Sequence, residues 1–199
     1  MNDLTKVEVQ GRHADMVLKL AKGGDSILGT LDGPKVHLIH MTMGICGEVG
    51  ELYGSMSMDN TVEELGDIEF YMQGLRQGLN IPRYTVVDNR DLLPDFINNH
   101  SLITSSAEIL DLVKKHVIYD QPLKRNEVIR AMVIFEYHMQ AKREFEGITY
   151  EHTLEGNMDK LAVRYKNFQY SDAQAEQRND KKEDSGQMEL NLADEVSGD

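Results

Sequence analysis

Apolar residues along this chain recur at helical spacing. Between Val36 and Tyr53, Leu38, Met41, Ile45, Val49 and Leu52 follow steps of three and four, which keeps one face of an α-helix apolar. A second helix is predicted to start at Asp59-Asn60-Thr61, residues suited to capping with acidic neighbours behind them, and to run to about Gly78. Further helices are expected over about 10–21, 105–118, 125–145 and 150–166. Alternating Val, Ile and Thr runs are few and prolines number four, so the expected fold class is all-α, a helical bundle. The stretch Tyr84–Ile103, with Pro94 and Asn98-Asn99-His100, reads as an irregular join between two halves. Residues 1–170 are expected to form a single domain, with a first half of about 10–90 and a second of about 104–170. From Ser171 the chain turns polar and then purely acidic, so 171–199 is predicted to be a disordered tail.

The halves resemble one another. Ile68-Glu69-Phe70-Tyr71 returns as Phe135-Glu136-Tyr137-His138 sixty-seven residues later, and at that offset Arg76 meets Arg143 and Ile81 meets Ile148. Upstream, Glu48–Leu52 is similar to Glu108–Leu112 at an offset of sixty. A diverged duplication of a helical hairpin is the expected origin; chance similarity of two amphipathic helices is the competing one.

Composition narrows the function. Forty per cent hydrophobic residues suffice for a core, built on aliphatic side chains and eleven Met in the absence of Trp. The single cysteine, Cys46, excludes an internal disulfide and fits a reducing compartment; no apolar run reaches the roughly 18 residues of a membrane span. A cytoplasmic protein without membrane partners is expected. A net charge of −13 disfavours direct nucleic-acid binding, which depends on Lys and Arg to displace counterions. It leaves room for a phosphate ligand held through a cation.

Four carboxylates supply that cation site. Glu48 and Glu51, three apart, leave one face of the first helix; Glu64 and Asp67 repeat the spacing on the next. An antiparallel hairpin would bring the pairs face to face, where four negative charges repel unless cations share the site. Oxygen ligands of this kind suit Mg²⁺. Such a site could serve hydrolysis of a triphosphate between its α- and β-phosphates, with one of the four carboxylates, or Glu63, accepting the proton of water. Against this stands the ordinary occurrence of Glu at i, i+3 on exposed helices. Gly44, Gly47 and Gly50, however, each cost about 1 kcal/mol in mid-helix, which points to close packing or to room for a ligand. His37 and His40 lack a zinc-binding pattern and read as core or rim residues. Cys46 reads as a packing residue.

Glu48-Val49-Gly50-Glu51 and, after twelve further residues, Glu64-Leu65-Gly66-Asp67 together resemble the ExxE…ExxD signature of all-α NTP pyrophosphohydrolases. The run from Glu64 to Gln77, the opening Gln10–Leu20 and Glu155–Tyr165 are similar to MazG-like members of that family, particularly bacteriophage-encoded ones. The resemblance implies Mg²⁺-dependent conversion of a (d)NTP to (d)NMP and pyrophosphate, with Mn²⁺ as a substitute cation. It implies metal ligation and catalysis by Glu48, Glu51, Glu64 and Asp67, and substrate contacts from Asn157, Lys160, Arg164 and Tyr165. It further implies a contribution from the Lys114-Lys115 pair. In typical relatives that pair lies between the two acidic motifs; here it stands in the second half, where Ala131 and Ile134 occupy the places of Glu64 and Asp67. One complete site assembled from both halves is therefore expected, much as in dimeric dUTPases. A dUTPase-like specialist, or a catalytically silent helical module binding nucleotide or protein, are the alternatives. A homo-oligomer is expected, since helical bundles often complete their cores by pairing. In the tail, Gln187-Met188-Glu189-Leu190-Asn191-Leu192 is similar to peptides that dock on the bacterial sliding clamp, which makes that clamp a candidate partner.

Overall fold

The computed structural model describes residues 6–83 and 101–181, and over these the chain is helical with no strand. Its elements are α1 (Lys6–Leu20), α2 (Gly24–Leu28), α3 (Gly33–Gly54), α4 (Met58–Leu79), α5 (Leu102–Tyr119), α6 (Arg125–Glu146), α7 (Tyr150–Arg164) and α8 (Asp172–Gln177), with 3₁₀ turns at Lys166–Phe168 and Asn179–Lys181. Two hairpins, α3–α4 and α5–α6, meet through α3 and α5, and α7 lies against α4. Among the described residues no helix is long and apolar enough to cross a membrane.

Local chemistry sets the helix ends. Asp32 accepts from the Lys35 backbone N–H at 2.8 Å ahead of Pro34, opening α3. The start of α4 is Ser57, whose Oγ accepts from the Asn60 N–H at 3.2 Å; the expected cap at Asp59-Asn60-Thr61 instead forms the first turn. Ser101 and Thr104 cap each other's backbone N–H to begin α5.

The apolar stripe read from the first helix is the buried one: Leu38, Met41, Ile45, Val49 and Leu52 are all within the core. They meet Leu65, Ile68, Met72 and Leu75 of α4 and Ile109, Val113 and Val117 of α5. The second hairpin adds Val128, Met132 and Phe135. Gly66 lets α7 approach α4 closely, since a methyl group there would lie 2.8 Å from the Asn157 Cβ.

The hairpins share more than sequence. Asn80 and Gly147 both adopt left-handed backbone after α4 and α6, at φ 50° and 70°. The following Ile81 and Ile148 N–H groups donate to the Arg76 and Arg143 carbonyls, each at 2.9 Å. The same two arginines are buried and exchange partners across the bundle. Arg76 pairs with Glu136 of α6, and Arg143 donates to Glu69 of α4 at 3.1 Å. Burial pulls the Arg76 guanidinium down to about 10. On α3 and α5 the burial pattern matches at an offset of sixty-four, not sixty: Leu38 with Leu102, Ile45 with Ile109, Val49 with Val113. In that register Glu48 and Glu51 correspond to Leu112 and Lys115.

Glu69 also receives Arg83 at 2.7 Å, so it holds two guanidinium groups while only 5% exposed. Glu69→Gln should lower unfolding free energy by about 3 kcal/mol or more, because it leaves Arg143 buried without its counter-charge. Equilibrium denaturation with unchanged slope is the check; a loss under ~1 kcal/mol would place the pair among ordinary surface bridges.

Candidate metal centre

The facing faces of α3 and α4 form the floor of a cleft of about 730 Å³ lined by Glu48, Glu51, Glu64 and Asp67. Glu48, Glu51 and Glu64 each offer a carboxylate oxygen within 4.8 Å of the others. The cause is local: i, i+3 spacing aims each pair from one helix face, and the three residues between Gly54 and Met58 fold α4 back on α3. Gly44 makes room for the Tyr71 ring, which a methyl group at 44 would strike. Gly47 and Gly50 by contrast face open space, so only the first of the three mid-helix glycines is explained by packing within the chain.

The crowding shows in the protonation of the cluster. Burial, then the neighbouring charge of Asp67 and a hydrogen bond shared with Glu64, pushes the Glu48 carboxyl up to about 8. Burial likewise raises Glu64, opposed by its hydrogen bond with Glu48. Burial keeps Tyr71 a neutral phenol by raising it further above its ordinary value.

Asp67 is held from α7. Asn157 Nδ2 donates to Asp67 Oδ1 at 2.7 Å, and the Lys160 ammonium contacts Asp67 Oδ2 and stands 3.4 Å from Glu63. Asn157 and Lys160, expected to meet substrate, thus grip a carboxylate of the cluster. Arg164 lines the cleft, but its guanidinium forks onto Asp180, with Nε donating at 2.7 Å and Nη2 contacting the other oxygen. That pairing raises Arg164 above its ordinary value. Tyr165 also lines the cleft. Lys114 and Lys115 do not: both lie exposed on α5, bridged to Asp111 at 2.9 Å and 2.6 Å. Their i, i+3 and i, i+4 spacing from Asp111 makes them a solvated helix-surface cluster.

Comparison of the chain with known protein families, with curated proteins and with solved structures finds no match.

The segment after α7 departs from expectation. It is not structureless from 171: Ser171 caps α8, and the described chain continues helical to Lys181, folding back along α7. Phe168, Tyr170, Ala175 and Arg178 of this strap line the same cleft as the carboxylates. Asn167 and Phe168 sit at φ 57° and 53°, left-handed backbone that asparagine tolerates and that is uncommon for phenylalanine. Sequence reasoning missed these residues; the aromatic spacing of Tyr165, Phe168 and Tyr170 directly after an expected helix was the available signal. The residues of the clamp-like pattern, 187–192, and 84–100 of the expected irregular join lie outside the described residues.

The remaining candidates read as supports. His37 Nε2 lies 3.0 Å from the Gly74 carbonyl, and His40 stands edge-on to Tyr71 with ring centroids 6.0 Å apart. Burial raises the Cys46 thiol, the opposite of nucleophile activation.

A carboxyl raised on folding takes up protons that the unfolded chain lacks, so its stabilising effect is complete at low pH and is lost on the way up. Metal-free protein in chelator should therefore lose stability as pH rises from 4.5 to about 8, the interval spanned by Glu48. Glu48→Gln should flatten that slope. Melting temperatures measured across the interval decide it, and an equally steep fall in the variant would assign the effect elsewhere.

Proposed function

We propose that this chain is a Mg²⁺-dependent nucleoside triphosphate pyrophosphohydrolase of the MazG-like type, converting a (d)NTP to (d)NMP and pyrophosphate. The observation that carries the reading is the convergence of Glu48, Glu51 and Glu64, with Asp67 beside them, in one cleft large enough for a nucleotide. The donor set fits the metal: these are hard carboxylate oxygens without thiolate or imidazole, the preference of Mg²⁺, with Mn²⁺ as a substitute. Burial and the neighbouring carboxylates raise the Glu48 carboxyl, a cost to its ionised form that a bound cation would relieve. When bound there, a divalent cation would neutralise the triphosphate and make a coordinated water more acidic. The resemblance of the two acidic motifs to all-α NTP pyrophosphohydrolases points the same way.

The chain's own groups have separable tasks. Glu48, Glu51 and Glu64 would hold the cation, with Asp67 beside them in the cleft. Asn157 and Lys160 orient the Asp67 carboxylate, so α7 positions a ligand in addition to facing substrate. Arg164 closes its planar fork on Asp180 and so anchors the segment after α7 along the cleft. Glu63, on the cleft wall beside Glu64, is the group we assign to accept the proton of the attacking water. The two halves join in one site, because α7 from the second half completes the cluster on α3 and α4.

Glu51→Gln and Asp67→Asn should each reduce pyrophosphate release from a panel of (d)NTPs by roughly two orders of magnitude or more, the scale on which positioned charged groups act. Helix content by circular dichroism should stay the same. Wild-type turnover by both variants at saturating Mg²⁺ would remove the metal assignment. A wild-type protein that binds Mg²⁺ and nucleotide without releasing pyrophosphate would favour the silent binding module.

A further inference from the structure

The strap places aromatic rings where folding does not need them. Phe168 is 67% exposed and Tyr170 72% exposed, yet both line the cleft that holds the carboxylates. Neither ring contributes to the core cluster. Tyr170 is nevertheless fixed: its hydroxyl donates to Asp172 Oδ1 at 2.8 Å, and its ring lies 5.7 Å from that of Tyr165 at an interplanar angle of 39°. Phe168 is directed by the left-handed backbone at Asn167 and Phe168, a conformation that a phenylalanine takes up only under constraint. The strap itself is tied down by Asp180, whose side chain is 3% exposed in its fork with Arg164. Solvent-facing aromatic rings that line the same cleft as an acidic cluster offer an apolar planar surface together with a candidate cation site. A nucleotide has the matching halves: a planar base and a phosphate chain that reaches protein carboxylates through a cation.

We propose that Phe168 and Tyr170 form the platform on which the base of a nucleoside triphosphate stacks while its phosphates lie toward Glu48, Glu51, Glu64 and Asp67. This rests on the reading of the cleft as a triphosphate site and adds the residues that read the base. Stacking on ring faces is tolerant of base identity, because every base offers a π-face. The strap therefore confers a requirement for a base, with discrimination among bases left to polar groups at its edges.

The test separates base from phosphate. Binding to the full chain with Mg²⁺ is measured by calorimetry for the α,β-methylene analogues of dATP, dCTP, dGTP and dTTP, and for inorganic tripolyphosphate. Phe168→Ala and Tyr170→Ala should weaken the best-bound analogue by roughly 5- to 150-fold, the span of base–aromatic stacking, and leave tripolyphosphate affinity unchanged. Phe168→Trp should keep analogue binding, which separates stacking from mere loss of local structure. Analogue affinities unchanged in both alanine variants would overturn the platform with the triphosphate site intact. Equal losses for analogue and tripolyphosphate would also overturn it, since the rings would then support the phosphate side. A wild-type protein that binds neither analogue nor tripolyphosphate would overturn the triphosphate reading and the platform with it.

Discussion

Mutual repulsion of carboxylates at the α3–α4 seam is the constraint around which the cleft is organised. Three carboxylate oxygens within 4.8 Å, from three glutamates, oppose the close approach of the two helices that carry them. The approach is enforced from beneath by Ile45, Val49, Leu65 and Ile68, each no more than 2% exposed. It is eased from above by α7, which sets an ammonium and an amide on Asp67. Apolar packing fixes the helices, and the charges must accommodate to that geometry by taking up a proton or a cation. Gly66 at the contact of α7 with α4 leaves the room that this approach needs.

How much was legible in the sequence follows from the range over which each signal acts. Helix positions and the stripe from Leu38 to Leu52 depend on spacing within a few turns, and the structure places them as read. The facing of Glu48 and Glu51 with Glu64 followed from two such spacings and one short turn. Long-range partners were not legible in that way. Nothing local in Lys160 says that its ammonium reaches Asp67, ninety-three residues away, and nothing local in Asp180 says that it closes on Arg164. Lys114 and Lys115 show the reverse error: similarity of a short basic pair gives no information about the bundle face it occupies. Polar composition after Ser171 suggested disorder, whereas a serine cap and one buried ion pair hold the strap in place.

The hairpins keep one skeleton and differ in chemistry. The ends of α4 and α6, the buried arginines and the core positions correspond, while Leu112, Lys115, Ala131 and Ile134 stand where the first hairpin has its four carboxylates. Apolar groups at three of those positions remove the repulsion, and the carboxylate cluster is confined to the α3–α4 seam. One half thereby serves as scaffold for the charged half and also delivers α7 to it.

The exchanged arginines give the two halves a common fate. Arg143 of the second hairpin depends on Glu69 of the first, and Arg76 of the first on Glu136 of the second, so each hairpin taken singly would bury a cation whose counter-charge belongs to the other. Loss of the charge at 69 leaves Arg143 buried without its counter-charge, and loss at 136 does the same to Arg76. The two halves are thus coupled through these exchanged ion pairs, and the hairpin that carries the carboxylate cluster is held to a partner half that has none of those four carboxylates.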